Sequence, residues 1–132
     1  MKAKELMCDD IVSYKGNLYK VSGTMRDADG LQLHPIHLRN SEGLILGPMS
    51  CFARDVEPVI LTPEFFEKNG FSIHGDFVDS IDGMELVWRE KGRLDWTINA
   101  DEYVIMSFRH VHELQHALRL CGLNEIADSI QA

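Results

Sequence analysis

The stretch HVHELQHALRLCG, residues 110–122, decides how this chain is read. As a pattern it contains H-E-x-x-H at His112, Glu113 and His116. In that spelling two histidines one helical turn apart hold zinc and the glutamate serves as base toward a metal-bound water. As a helix it shows another logic. Val111, Leu114, Leu118 and Cys121 recur at helical spacing with Ala117 beside them, Gly122 supplies a left-handed stop, and Leu123 can fold back on Leu118. With Val111 at zero on a wheel of 100° per residue, the apolar stripe centres at roughly 310°, and His112 and His116 fall at roughly 100° and 140°. The wheel therefore predicts both histidines on the solvent side.

Three features weigh against zinc. A site needs a third protein ligand, but the sixth residue after His116 is Gly122, and Glu125 or Asp128 would have to fold back at once. Arg119 lies one turn from His116 on the same face, and a fixed cation beside a divalent ion is unfavourable. With six histidines in 132 residues, a shuffled chain of this composition contains the motif roughly 2% of the time, so the short pattern alone carries little weight. The expectation is an ordinary helix with no metal and no cofactor. The alternative is a minimal zinc hydrolase with His112 and His116 as ligands and Glu113 as base.

Outward from the helix, the preceding segment reads as alternating structure. LTPEFFEKNGF, residues 61–71, carries Thr62 as cap, Pro63 at the first helical position and Asn69-Gly70 as stop, which predicts a helix over 63–69 with Phe65 or Phe66 inward. Strands are predicted at about 72–78, 84–90 and 94–99, with a further short one over 103–106. Met84, Leu86 and Trp88 share one face, as do Leu94, Trp96 and Ile98, so the pair offers an apolar side for a helix to cover. Trp88 and Trp96 have two roles open: core, or partner contact if part of their surface is exposed. The last helix is expected at about 108–121 with Ser107 as cap, followed by a short one over 125–130 capped by Asn124.

The first sixty residues read as short strands and turns. Ile11–Tyr14 and Leu18–Ser22 flank Lys15-Gly16-Asn17, a hairpin signal; DADG (27–30) and RNSEG (39–43) are further turns. The opening LMCDDIVSYKGNLYKVSG resembles the entry to an SH3-like barrel, and the resemblance covers about the first third of the chain. It implies a small antiparallel barrel-like sheet and no single function. The class expected is α+β: an SH3-like β-rich lobe over 1–60 and an α+β lobe over 61–132, forming one compact unit.

Composition excludes several functions. The net charge is −8, and residues 63–132 hold 6 basic against 13 acidic side chains; such a field repels polyanions, which speaks against nucleic acid. A nucleic-acid-binding barrel would have to use Lys15, Lys20, Arg26 and Arg39. Asp76, Asp79 and Asp82 do not have the spacing of a calcium loop, and neither does DADG. ALRLCGLNEIADSI has the outline of a helix-turn-helix, but its second helix carries Glu125 and Asp128 and no Lys or Arg. Cys8, Cys51 and Cys121 show no framework spacing and read as reduced, cytoplasmic thiols. The opening meets Asp9 and Asp10 before an apolar run can form, which is not a signal peptide, and nothing approaches a membrane span.

LTPEFFEKNGF, a tryptophan-bearing strand pair and RHVHELQHALRLCG together resemble a group of small proteins encoded by gut Bacteroidetes and by their phages and mobile elements, over roughly residues 55–123. Their last helix looks like V-H-x-L-Q, here Val111, His112, Leu114 and Gln115. The resemblance implies that the Glu113 and His116 positions accept other residues, among them Gln and Asn, and so implies a structural helix. It supplies no activity. His112 or Gln115 is expected to hydrogen-bond a backbone edge of the neighbouring sheet and fix the helix across it. The function expected is a non-enzymatic accessory or adaptor module binding a protein partner through a sheet edge or the Trp88/Trp96 surface.

Overall fold

The computed structural model describes residues 1–25, 27–71, 77–81, 84–89, 92–98 and 103–131, with the backbone alone at 77–81, 84 and 98. The class is α+β: two antiparallel sheets and a few short helices, in two compact units, Met1–Val59 and Ile60–Ala132.

In the first unit, β1 (Ile11–Tyr14), β2 (Asn17–Met25), β3 (Gly30–Pro35), β4 (Met49–Phe52) and β5 (Glu57–Pro58) form a sheet of order β4-β3-β2-β1-β5. Lys15 and Gly16, at φ +48° and +79°, make the tight turn, so Asn17 already belongs to β2 and pairs with Tyr14. β2 runs past the expected end at Ser22. The register with β3 shifts between Val21 and Gly23, a bulge at which a β-carbon would meet only the mobile end of the Gln32 side chain. A 3₁₀ turn over Ala53–Asp55 returns the chain to β5 beside β1. Leu6, Val12, Tyr19, Val21, Leu31, Leu33 and Val56 form the buried core, each contributing about 1.5–3 kcal/mol relative to exposure. No ladder joins β4 to β5 among the described residues.

The turn DADG does more than reverse the chain. Asp29, at φ +50°, accepts the Ala3 amide on its Oδ1 at 2.7 Å and the Ala53 amide on its carbonyl at 2.8 Å. It thereby ties two 3₁₀ turns that carry buried alanines to the β2–β3 hairpin.

In the second unit, α1 (Pro63–Lys68) forms as its residues dictate. Thr62 Oγ1 accepts the Phe65 amide at 3.2 Å, and Gly70 at φ +82° closes a Schellman motif in which the Phe71 amide donates to the Phe66 carbonyl at 2.9 Å. Both phenylalanines are buried. The sheet has order β6-β7-β8-β9, with β6 Phe77–Ile81, β7 Met84–Trp88, β8 Leu94–Ile98 and β9 Tyr103–Phe108. Where a strand over 72–78 was expected, β6 begins at Phe77; residues 72–76, and with them Asp76, lie outside the described residues, as does Asp82. Leu86 faces Trp96 and Trp88 faces Leu94 across the β7–β8 ladder, a register that brings the two expected apolar faces together.

Strand β9 takes residues that were assigned to the helix. Ser107 is not a helix cap: it lies in β9 opposite Asp95, and α2 runs over Val111–Leu120 with His110 as its N-cap. Gly122, at φ +77°, ends it with a full Schellman closure, the Leu123 amide donating to Leu118 at 2.9 Å and Gly122 to Arg119 at 3.0 Å. Helix α3 (Asn124–Ser129) starts from Leu123, not from Asn124, and packs on α2.

Candidate functional site

The H-E-x-x-H residues sit on α2, but their side chains are engaged in the helix itself. Glu113 Oε1 accepts the backbone amides of Arg109 at 3.3 Å and His110 at 3.1 Å, and contacts His110 Nδ1 at 2.7 Å. The carboxylate thus satisfies orphan amides at a helix start, where the helix dipole favours negative charge. The candidate base is placed as the reciprocal half of a capping box.

The helix wheel misplaces His112. His112 is only 8% exposed and Gln115 only 1%, so both lie on the packed side of α2; His116 is half-buried. The buried set spans Val111, His112, Leu114, Gln115, Ala117 and Leu118, an arc of about 220° on the wheel. β9 and α3 both pack against the helix, and an element covered from two directions buries more than its apolar stripe. Both residues therefore occupy the side of the helix from which a sheet-anchoring role would act.

Three imidazoles form a row. The rings of His110 and His112 stack at 5.7 Å between centroids and 11° between planes, and His112 meets His116 edge-on at 5.7 Å. Among the described residues no group of three or more His, Cys, Asp or Glu is arranged to hold a metal ion. Asp128, which would have had to fold back as a third ligand, lies 3.7 Å from Arg119 instead.

Of the two roles open to the tryptophans, Trp96 has the core one. It is fully buried, edge-on to Phe108 at 6.4 Å, with Nε1 buried and without a hydrogen-bond partner among the described residues. Trp88 is half-buried and edge-on to Phe66 at 5.6 Å. On the face that pairs them, Leu86, Leu94 and Trp96 are buried, and Trp88 keeps part of its surface exposed.

An ion cluster escaped the sequence reading. Asp95 alternates with Leu94 and Trp96 on β8 and so reads as solvent-facing, yet Asp95 and Thr97 are buried as well, and β8 is covered on both faces. Arg89 Nε and Arg93 Nη2 donate to Asp95 Oδ2 at 3.0 and 3.3 Å; Ser107 Oγ donates to Oδ1 at 2.7 Å, and Arg93 Nε lies 3.1 Å from the same oxygen. Burial pushes the carboxyl up, but the Ser107 hydroxyl and the two guanidiniums outweigh it and hold Asp95 below its ordinary value. The signal was present in the two arginines that flank the β7–β8 turn, but pairing them with Asp95 requires the hairpin register. The cluster is an ionised staple across three strands.

In the first unit, the chain between β3 and β4 folds into a small arm. Arg39 bridges Ile45, the Leu46 amide donates to Leu38 at 2.8 Å and Asn40 to Leu44 at 3.0 Å. Asn40 Oδ1 accepts the Glu42 and Leu44 amides at 3.0 and 2.9 Å, and Arg39 Nη1 donates to Gly43 at 2.9 Å. This hydrogen-bonded hairpin displays Leu38, Leu44 and Ile45, which are 73%, 60% and 74% exposed. Between it and the β1–β2 turn lies a recess of about 200 Å³ lined in part by Asn17, His37, Arg39 and Leu46, smaller than the roughly 300–1,000 Å³ of small-molecule sites. Of the basic side chains considered for nucleic acid, Arg39 is committed to the arm and Lys15 lies over the Tyr14 ring at 5.3 Å. Lys20 is half-buried on β2, and Arg26 lies outside the described residues.

No helix among the described residues is long and apolar enough to cross a membrane. No family model, curated protein or solved structure matches the chain.

Proposed function

We propose that the chain is a non-enzymatic accessory module that binds a protein partner, and that the arm of the first unit is its contact surface. The observation that carries this reading is the trio Leu38, Leu44 and Ile45, three large aliphatic side chains held out by a hydrogen-bonded hairpin. Exposing them costs apolar burial, and a group of exposed large apolar side chains is a feature of interaction sites. The strand order, with a 3₁₀ turn before a fifth strand that returns to the first, supports an SH3-like reading of this unit.

The chemistry of the second unit fits the same reading. Glu113 is spent on capping, and the reading includes no metal and no cofactor. A cytoplasmic setting is supported by three cysteines outside any disulfide; burial first, and Asp55 second, push the Cys51 thiol up and make it less reactive. The resemblance to small proteins of gut Bacteroidetes and their mobile elements would place the module in such a genome.

The test is site-specific photocrosslinking in cells. A photoreactive residue at Leu44 should give a discrete crosslinked protein that the same residue at exposed Gln32 does not give. Identical products from both positions, or none from Leu44, would refute the arm as the contact.

A further inference from the structure

We propose that Asn69 is a spontaneous deamidation site whose rate is set by the docking of the segment after α3, and whose conversion releases that segment. The inference is independent of the arm, since its residues lie in the other unit. Asn69-Gly70 is the one Asn-Gly pair in the sequence. The fold demands this glycine, because Gly70 ends α1 at φ +82°, a conformation that a side chain would strain. Glycine is also the successor that shields an asparagine side chain least. Gly70 is exposed and a β-carbon there would meet nothing within 4 Å, so water and base reach its backbone nitrogen. In the reaction the Gly70 nitrogen gives up its proton and bonds to the side-chain carbonyl carbon of Asn69; the bond from that carbon to Nδ2 breaks, and ammonia leaves. Water then opens the five-membered imide at either carbonyl, giving aspartate or, where the chain comes to run through the side chain, isoaspartate.

The folded chain keeps both reacting groups occupied. Asn69 Nδ2 donates to the Phe65 carbonyl at 2.8 Å and to the Gln131 carbonyl at 2.6 Å, while Asn69 Oδ1 accepts the Gln131 amide at 2.7 Å. The Gly70 amide donates to the Glu67 carbonyl at 3.2 Å. One side chain thus holds both backbone groups of a residue 62 positions away, whatever side chain that residue carries. The imide closes only when these bonds open, so conversion follows the population in which the segment is undocked. Conversion then makes undocking permanent. A carboxylate accepts and does not donate, so the two carbonyls that received Nδ2 would each face a negative oxygen. Isoaspartate further adds a carbon to the backbone where α1 closes. Ile130, next to Gln131 and only 3% exposed, comes into water when the segment leaves.

Peptide mapping by mass spectrometry tests the proposal on the full chain, incubated in warm, mildly alkaline buffer beside a free peptide of residues 61–71. Asn69 should convert in both, about tenfold or more slowly in the folded chain. Gln131→Pro removes the amide that donates to Oδ1, and Ile130, at φ −64° and ψ 133°, already has the backbone that precedes a proline. This variant should convert about fivefold faster or more than the unaltered chain. Gln131→Ala keeps both backbone bonds and should leave the rate unchanged. Asn69→Asp, which installs the product directly, should raise hydrogen exchange over residues 124–131 and leave that of β1–β3 as it was. A folded chain in which Asn69 never converts or converts as fast as the peptide, a rate indifferent to Gln131→Pro, or an Asn69→Asp chain with unchanged exchange over 124–131 would each overturn the proposal.

Discussion

Replacing Asp95 with asparagine should destabilise the second unit by about 2–3 kcal/mol. The buried carboxylate receives the two arginines and Ser107 at 2.7 to 3.3 Å. Asparagine keeps one acceptor oxygen, enough for Ser107 and one guanidinium, but puts an NH₂ where Oδ2 accepted from Arg89 and Arg93. Two charge-assisted bonds are lost, each worth about 1.5–3 kcal/mol. The low end applies, because Arg89 and Arg93 are 29% and 45% exposed and can rehydrate. For a unit of this size the melting temperature should fall by about 10–20 °C, followed through the fluorescence of Trp88 and Trp96.

The pH dependence gives an independent check. Because Asp95 titrates lower in the folded chain than in the unfolded one, its contribution is complete above the ordinary carboxylate value, about 3.9. It is lost as pH falls through the folded value. The gap between wild type and Asp95→Asn should be constant near neutrality and close on acidification. A neutral-pH loss below about 0.5 kcal/mol would mean that desolvation cancels the staple; a gap that widens in acid would refute the assigned ionisation.

Two further outcomes follow from the helix ends. Glu113→Ala should cost about 1 kcal/mol and Glu113→Gln much less, since glutamine can still accept the His110 amide; urea midpoints at unchanged slope measure this, and equal losses would remove the capping role. Gly122→Ala should cost about 1 kcal/mol from backbone strain alone, because φ is +77° and a β-carbon there meets nothing within 4 Å, with Gly122→Asn intermediate; thermal melts showing no difference would contradict the left-handed stop.

Features legible in the sequence are those decided by neighbours along the chain. Thr62, Pro63 and Gly70 bound α1, Gly122 stops α2 and Lys15-Gly16 turns the first hairpin, all through local stereochemistry. The apolar faces that carry Leu86 and Trp96 were legible because strand alternation sets them, while the pairing itself comes from the register. What was not legible depends on elements distant in sequence. His112 lies off the apolar stripe, so the wheel assigns it to water, yet it is buried on a helix against which β9 and α3 both pack. Asp95 looked solvent-facing until its arginines were brought across a turn. Ser107 offered a cap by residue type, but the β8–β9 ladder claimed it first. The exposed arm was visible only as a polar loop, because nothing local tells whether Leu38, Leu44 and Ile45 will find cover.

Asp29 bears on the order in which the first unit assembles. Hairpins such as β1–β2 close over a two-residue turn, at small entropic cost, while the bond from the Ala3 amide to Asp29 joins residues 26 apart. The hairpins can therefore form before that bond and present the carboxylate as a ready acceptor. Ala3 is thus a late latch, and its amide should exchange only when the unit opens around the β2–β3 turn.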